Sequence, residues 1–382
     1  VPTIPIEFHS HGIKKQDFSS FQTLDLETVN KEAEQENIFC ILTISLPKDS
    51  IDEFIFFMQL YSSLRKAGKL SYIVGISLEG PLLSSVGGTP ERGSWVPTKQ
   101  EWEKIARCGS LGLRYTVLSP DAMLPGSCLS HNLKPDHPDI AWIIEMLLQH
   151  NISPALGHFQ KNDPNASVEC IQTVLDVAKK LGNKPFSGRI LTDHVFNDMP
   201  LNFRHAWRTT EDKKARNQQF KTLQIEEWTM ENLDERLGNV PAILLQSAHA
   251  GLITLCINFD GAHVDLGVCR RVVELVGSQS IIAITDRTDT NSLGGERLWR
   301  KEGTNLWYQD DGIVAAGMSS MHLQMQNMLA IGLNEKEIWD MIAFVPERIL
   351  GLWQDDLINS PPDRFSYVAK NGVFSLPVDI SV

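Results

Sequence analysis

A chain of 382 residues with 42% hydrophobic and 21% charged residues has ordinary globular composition and enough apolar material for a large core. Its formal net charge of -12 argues against a protein that coats nucleic acid or an anionic membrane, because an acidic surface holds neither polyanion. The six cysteines are scattered without a C-x-x-C spacing, which reads as small core residues in a reducing cytoplasm, and the longest apolar stretch, 240–259, is broken by Pro241, Gln246, His249 and Gly251 and does not suit a bilayer span.

Apolar, β-rich runs alternate with amphipathic helical stretches along the chain. The runs predict eight strands over 4–11, 38–46, 72–79, 113–118, 152–157, 189–194, 252–259 and 281–286. Between them the 3.6-residue periodicity predicts helices over 26–36, 51–67, 99–107, 139–150, 167–181 and 266–276, and a polar helical stretch within 211–237. Two more, 321–330 and 335–343, follow the last strand. Eight strand–helix units predict a parallel sheet closed into a (β/α)8 TIM-type barrel. An open doubly wound sheet is the alternative, but no glycine-rich nucleotide turn follows the first strand. The barrel is expected over 1–352, with a charged insertion near 204–238 where the strand spacing doubles, and 353–382 as a Pro-rich appendage with weak strands.

Catalytic groups of such a barrel sit at the carboxyl ends of its strands. The first strand ends in His9-Ser10-His11-Gly12, whose two imidazoles share one face at the period of two. The third ends in Leu78-Glu79-Gly80-Pro81, the fifth in Gly157-His158, and the sixth in Asp193-His194-Val195-Phe196-Asn197-Asp198-Met199. The seventh ends in Asp260-Gly261-Ala262-His263-Val264 and the eighth in Thr285-Asp286. Taken singly, each has a plain alternative as a strand cap, turn residue or helix N-cap. Their coincidence at the strand ends favours one shared centre.

These motifs, with Ala316-Gly317-Met318-Ser319-Ser320 further on, resemble the N-acetylglucosamine-6-phosphate deacetylase family of the amidohydrolase superfamily over nearly the whole chain. The resemblance implies a metal centre of His9, His11, Glu79, His158 and His194 with one or two divalent ions, zinc first and iron as the alternative, and Glu79 able to bridge two. Such an ion lowers the pKa of a bound water to give hydroxide and polarises an amide carbonyl. Asp286, facing the metal, is then the general base that moves the water's proton to the amine leaving group. The resemblance further implies that His263 stabilises the substrate carbonyl, that Asn197 binds substrate, and that the assembly is a homodimer.

Four departures bear on the substrate. The family has small β-sandwich strands ahead of H-x-H and here only eight residues precede His9, so either that domain has been lost or this sequence starts after it. Asp198 replaces the alanine of the family's H-x-x-N-A-M and places negative charge where an anionic substrate would lie. The family's phosphate-contacting arginine follows N-A-M in a short loop; here the insertion begins at that place, so Arg204 or Arg208 could substitute for it but neither matches it one to one. Arg287 follows Asp286 where a small residue is usual, and it is expected to pair with Asp289 or a substrate carboxylate. The expectation is a cytoplasmic, metal-dependent amidohydrolase of carbohydrate metabolism acting on a small N-acyl substrate, N-acetylglucosamine 6-phosphate first. Its rivals are a deacylase of another N-acyl metabolite, a phosphoester or lactone hydrolase, and a non-catalytic scaffold.

Overall fold

The computed structural model describes residues 4–203 and 210–352 (side chains of the second span from 214), with the backbone of strands Val368–Lys370 and Val373–Ser375. Arg204 and Arg208, and most of the expected appendage, lie outside the described residues.

Eight parallel strands form one sheet in sequence order: β1 (Ile6–Glu7), β2 (Phe39–Ile44), β3 (Ile73–Glu79), β4 (Leu113–Leu118), β5 (Ser153–Leu156), β6 (Leu191–His194), β7 (Thr254–Asn258) and β8 (Ile281–Ile284). Each falls inside the span that its apolar run predicts. The first and last strands meet at their carboxyl ends, where Asp286 N–H donates to the His9 carbonyl at 2.9 Å and His11 N–H to the Arg287 carbonyl at 2.7 Å. That contact brings the sheet round into a (β/α)8 barrel. Every residue of β2, β3, β7 and β8 is buried, as expected for parallel strands covered on both faces.

The crossover helices are α1 (Leu26–Gln35), α2 (Ile51–Lys66), α3 (Lys99–Arg107), α4 (Ile140–Gln149) and α5 (Pro164–Lys180). Their starts are chemically marked. Asp25, Asp139 and Asp163 accept backbone N–H groups of the first turn, and Thr98 and Glu101 form a reciprocal capping box. No helix among the described residues is long and apolar enough to cross a membrane.

The long excursion between β6 and β7 holds α6 (Thr210–Phe220), α7 (Leu233–Leu237) and α8 (Asn239–His249). The last was not expected from the sequence, because Pro241 reads as a breaker. In the structure Pro241 occupies the first turn, where a missing N–H costs nothing. The insertion is anchored by aromatic packing: Phe203 lies 6.4 Å from Phe196, 5.8 Å from Phe220 and 6.1 Å from the fully buried Trp228, centroid to centroid. After β8, α9 (Leu266–Val276) having preceded it, the chain forms a small antiparallel sheet of Trp299–Arg300, Leu306–Tyr308 and Val314–Gly317 and then α10 (Met321–Ala330).

Arg287 sits at the barrel seam, 3% exposed. Its Nη2 is 2.6 Å from Glu36 Oε2, its Nε 3.4 Å from Glu7 Oε2 and its Nη1 3.8 Å from Asp289 Oδ1. The Asp289 pairing expected from sequence is therefore the longest of three. Burial dominates at Glu7 and pushes its carboxyl up to about 7, so in this dry seam Arg287 offsets only part of the cost of a buried charge. Arg287→Met is expected to destabilise the fold by about 3–5 kcal/mol, because it takes the cation away from the buried Glu7, which keeps only the Thr285 hydroxyl, and from Glu36, which keeps Lys14. Urea denaturation measures it. Adding Glu7→Gln should recover part of the loss, and a wild-type midpoint for Arg287→Met alone would contradict this account.

Candidate metal centre

The strand ends converge on one buried cluster at the carboxyl mouth of the barrel. Glu79, His158, Asp193 and His194 offer ligand atoms all within 4.8 Å of one another, and His9, His11 and Asp286 form a second such group. Glu79 stands between the two. Its Oε1 is 3.2 Å from His158 Nε2 and 3.4 Å from His194 Nε2, while its Oε2 is 3.5 Å from His11 Nε2. Asp286 Oδ1 lies 3.1 Å from His11 Nε2 and 3.7 Å from His9 Nε2.

Asp193 escaped the sequence reading. A residue next to His194 on a regular strand faces the opposite side of the sheet. Here the register against β7 slips by one residue between Leu191 and His194, and the Thr192 hydroxyl, in place of a main-chain carbonyl, accepts the Cys256 N–H at 2.9 Å. This bulge turns both Asp193 and His194 inwards. The available signal was the Asp-His pair at the strand end. The backbone is strained around the same mouth: His158, Phe196, Asp198 and Asp286 have φ of 51°, 75°, 38° and 51°, in a region that costs non-glycine residues about 1–3 kcal/mol each.

A surrounding ring of polar groups fixes the imidazoles. The Tyr115 hydroxyl donates to the Phe8 carbonyl at 2.9 Å and so accepts from His9 Nδ1 at 3.0 Å, leaving His9 Nε2 aimed at the cluster. His158 Nδ1 donates to the Ser85 carbonyl at 3.0 Å, which likewise frees its Nε2. His263 Nδ1 donates to Asp260 at 2.7 Å, and its Nε2 lies 3.5 Å from Asp286 Oδ2.

These residues fit a divalent cation. His9 Nε2 and both oxygens of Asp193 are buried without a hydrogen-bond partner, and unpartnered buried atoms of this kind are costly unless something else satisfies them. Burial disfavours protons on His11 and His194. Yet Glu79 and Asp286 around the first, and Asp193 and Glu79 around the second, outweigh it and push both up to about 9. The cluster draws in positive charge. Imidazole and carboxylate donors suit zinc or iron.

Above the cluster lies a cleft of about 770 Å³. His194, His263, Asp286 and Asn197 line its floor and side, and the facing wall is Gly87-Gly88-Thr89 with Ile313-Val314-Ala315. Gln309 ties that wall together by donating to the Gly88 and Thr89 carbonyls at 3.0 and 3.1 Å. Asn197 donates to Asn258 Oδ1 at 3.1 Å. Asp198 lines the cleft with its charge balanced by Lys161 Nζ at 2.7 Å, which weakens the repulsion of anions expected from sequence. Arg287 does not line it. His249 is remote, bonded to the Leu275 carbonyl on the outside of the barrel.

No protein-family model matches the chain, and no curated protein matches it. Solved structures do. An N-acetyl-D-glucosamine-6-phosphate deacetylase from Mycobacterium smegmatis is 16% identical with a TM-score of 0.63, covering 92% of this chain and 78% of its own. The corresponding structure from Pasteurella multocida is 16% identical with a TM-score of 0.65, over 93% and 78%. That from Thermotoga maritima is 14% identical with a TM-score of 0.63, over 92% and 79%. At this identity the likeness shows a shared fold.

Zinc binding to metal-free protein is expected to release protons, because His11 and His194 hold theirs up to about pH 9. Apparent affinity should therefore rise with pH through the neutral range. Calorimetry in buffers of different ionisation enthalpy reads the proton count, and binding independent of pH would place the ion elsewhere.

Proposed function

We propose that the chain is a metal-dependent amidohydrolase that removes an N-acyl group, with N-acetylglucosamine 6-phosphate the first substrate to test. The observation that carries this reading is the set of seven buried ligand-type side chains in two groups, with Glu79 between them, beneath an open cleft. The fold shared with the three deacetylases supports it. His9, His11, Glu79, His158, Asp193, His194 and Asp286 would hold one or two ions, with Glu79 between the two groups. When bound, a divalent ion supplies an acidified water and polarises the amide carbonyl.

The chain's own residues do the rest. Asp286 faces the cleft with its carboxyl at about 2; burial raises it, but the bond to His11 and the neighbouring imidazoles hold it down. It is thus available as a base that takes the proton of the attacking water and delivers it to the departing amine nitrogen, which cannot leave as an amide anion. His263 is buried, yet Asp260 and Asp286 raise its affinity for a proton above the ordinary value. With Nδ1–H committed to Asp260, a second proton taken up by the ring goes to Nε2, beside Asp286 on the cleft side, and donation from there to a substrate carbonyl is the role proposed for it. Asn197 orients the substrate's polar groups, and Arg204 is carried as its contact to an anionic group. We further propose zinc, before iron, as the metal, a role in amino sugar metabolism, a cytoplasmic location and a homodimer.

Acetate release from N-acetylglucosamine 6-phosphate by the zinc-loaded protein is the expected result. Asp286→Asn should lower kcat by about 10²–10⁴-fold, the range typical of a lost general acid–base group. Full activity of that variant would refute the mechanism. Metal without acetate release would move the search to other N-acyl compounds.

A further inference from the structure

One carboxylate in the cleft has a task that the hydrolytic scheme does not use. Asp198, on the loop after β6, reaches across to the loops that follow β5 and β3. Its Oδ1 is held by Lys161 Nζ at 2.7 Å and accepts the Ser85 hydroxyl at 3.0 Å. Its Oδ2 makes no hydrogen bond of its own and lies 3.0 Å from His158 Nδ1, beside the Ser85 carbonyl that takes the ring proton. The side chain is only 11% exposed. It is therefore a charge fixed against the back of one ligand-type imidazole.

The surroundings are shaped to that contact. Asp198 adopts φ 38°, a conformation that Asp tolerates better than most residues. Gly87 has φ +57°, and a Cβ there would fall 2.7 Å from Asp198 Oδ2 and 3.1 Å from His158 Cε1. Only glycine lets that wall close on the Asp–His pair.

We propose that Asp198 is a positioning residue of the metal centre: clamped by Lys161 and Ser85 through one oxygen, it sets the charge of the other beside the His158 Nδ1–H that the Ser85 carbonyl accepts, and so reinforces the hold on that imidazole with Nε2 towards the ion. A carboxylate behind a ligating histidine locks its tautomer and makes the ring a stronger donor. The inference rests on the reading of the cluster as a metal centre. It assigns Asp198 to the ion, where the sequence pointed to the substrate.

The test is titration of metal-free protein with cobalt(II), read by its visible absorption and by competition with a chelator. Asp198→Ala should weaken binding by about 10–100-fold and change the absorption band. Asp198→Asn, which keeps the shape and an acceptor oxygen, should fall between that variant and wild type. Lys161→Met, which frees the clamp, should cost less than Asp198→Ala. Wild-type affinity and an unchanged band in Asp198→Ala would overturn the proposal, and should that variant fail to fold, the same result in Asp198→Asn would do so. Absence of cobalt binding by the wild-type protein would instead overturn the metal reading beneath it, so the two failures are distinct.

Discussion

Glu79, Asp193 and Asp286 are buried beside His9, His11, His158 and His194, and a group of charges out of water must be compensated on the spot. Each ion so placed costs several kcal/mol before its partners are counted. Protons on the histidines offset part of that cost, and a divalent ion would offset it more fully, with the carboxylates and Nε2 atoms already converged on it. The rest of the mouth serves this requirement. Tyr115, Ser85 and Asp260 each take one Nδ1–H and leave the opposite nitrogen facing inwards. The backbone bonds that join His9 to Asp286 and His11 to Arg287 close the barrel and, in the same step, set its first and last ligand-type residues side by side.

Much of this was legible in the chain because a parallel barrel ties position in sequence to position in space. A strand buried on both faces is an apolar run, and the polar residues that end it are the ones at the mouth. His9, His11, Glu79, His158, His194, His263 and Asp286 were placed at the mouth by that rule and picked out from their neighbours by the family resemblance. Asp193 was not, since a bulge that turns two successive side chains inwards breaks the alternation on which the rule rests. Helix α8 was hidden by Pro241, whose effect depends on which turn it occupies. Arg287 and Asp198 were visible as charges but their partners were not. Glu36 and Glu7 reach Arg287 only through barrel closure, and His158 and Lys161 reach Asp198 across two loops.

The charged insertion, conspicuous by composition, is joined to the site by its few aromatic residues. Trp228 and Phe220 pack on Phe203, which packs on Phe196, and Phe196 lines the cleft two positions before Asp198. The opposite wall is the antiparallel sheet that follows β8, pressed on Gly88 so closely that a Cβ there would strike the Val314 carbonyl. The barrel floor thus carries the proposed chemistry, while two elements added to the repeating unit shape the space above it.

The most direct measurement is elemental analysis of protein purified without chelator, repeated after dialysis against zinc or iron. The account predicts one or two equivalents of a divalent metal that are lost together when Glu79, the residue between the two groups, is replaced by Gln. A protein that holds no metal even after zinc or iron is added back would contradict it, and the buried cluster would then be neutralised by protons alone.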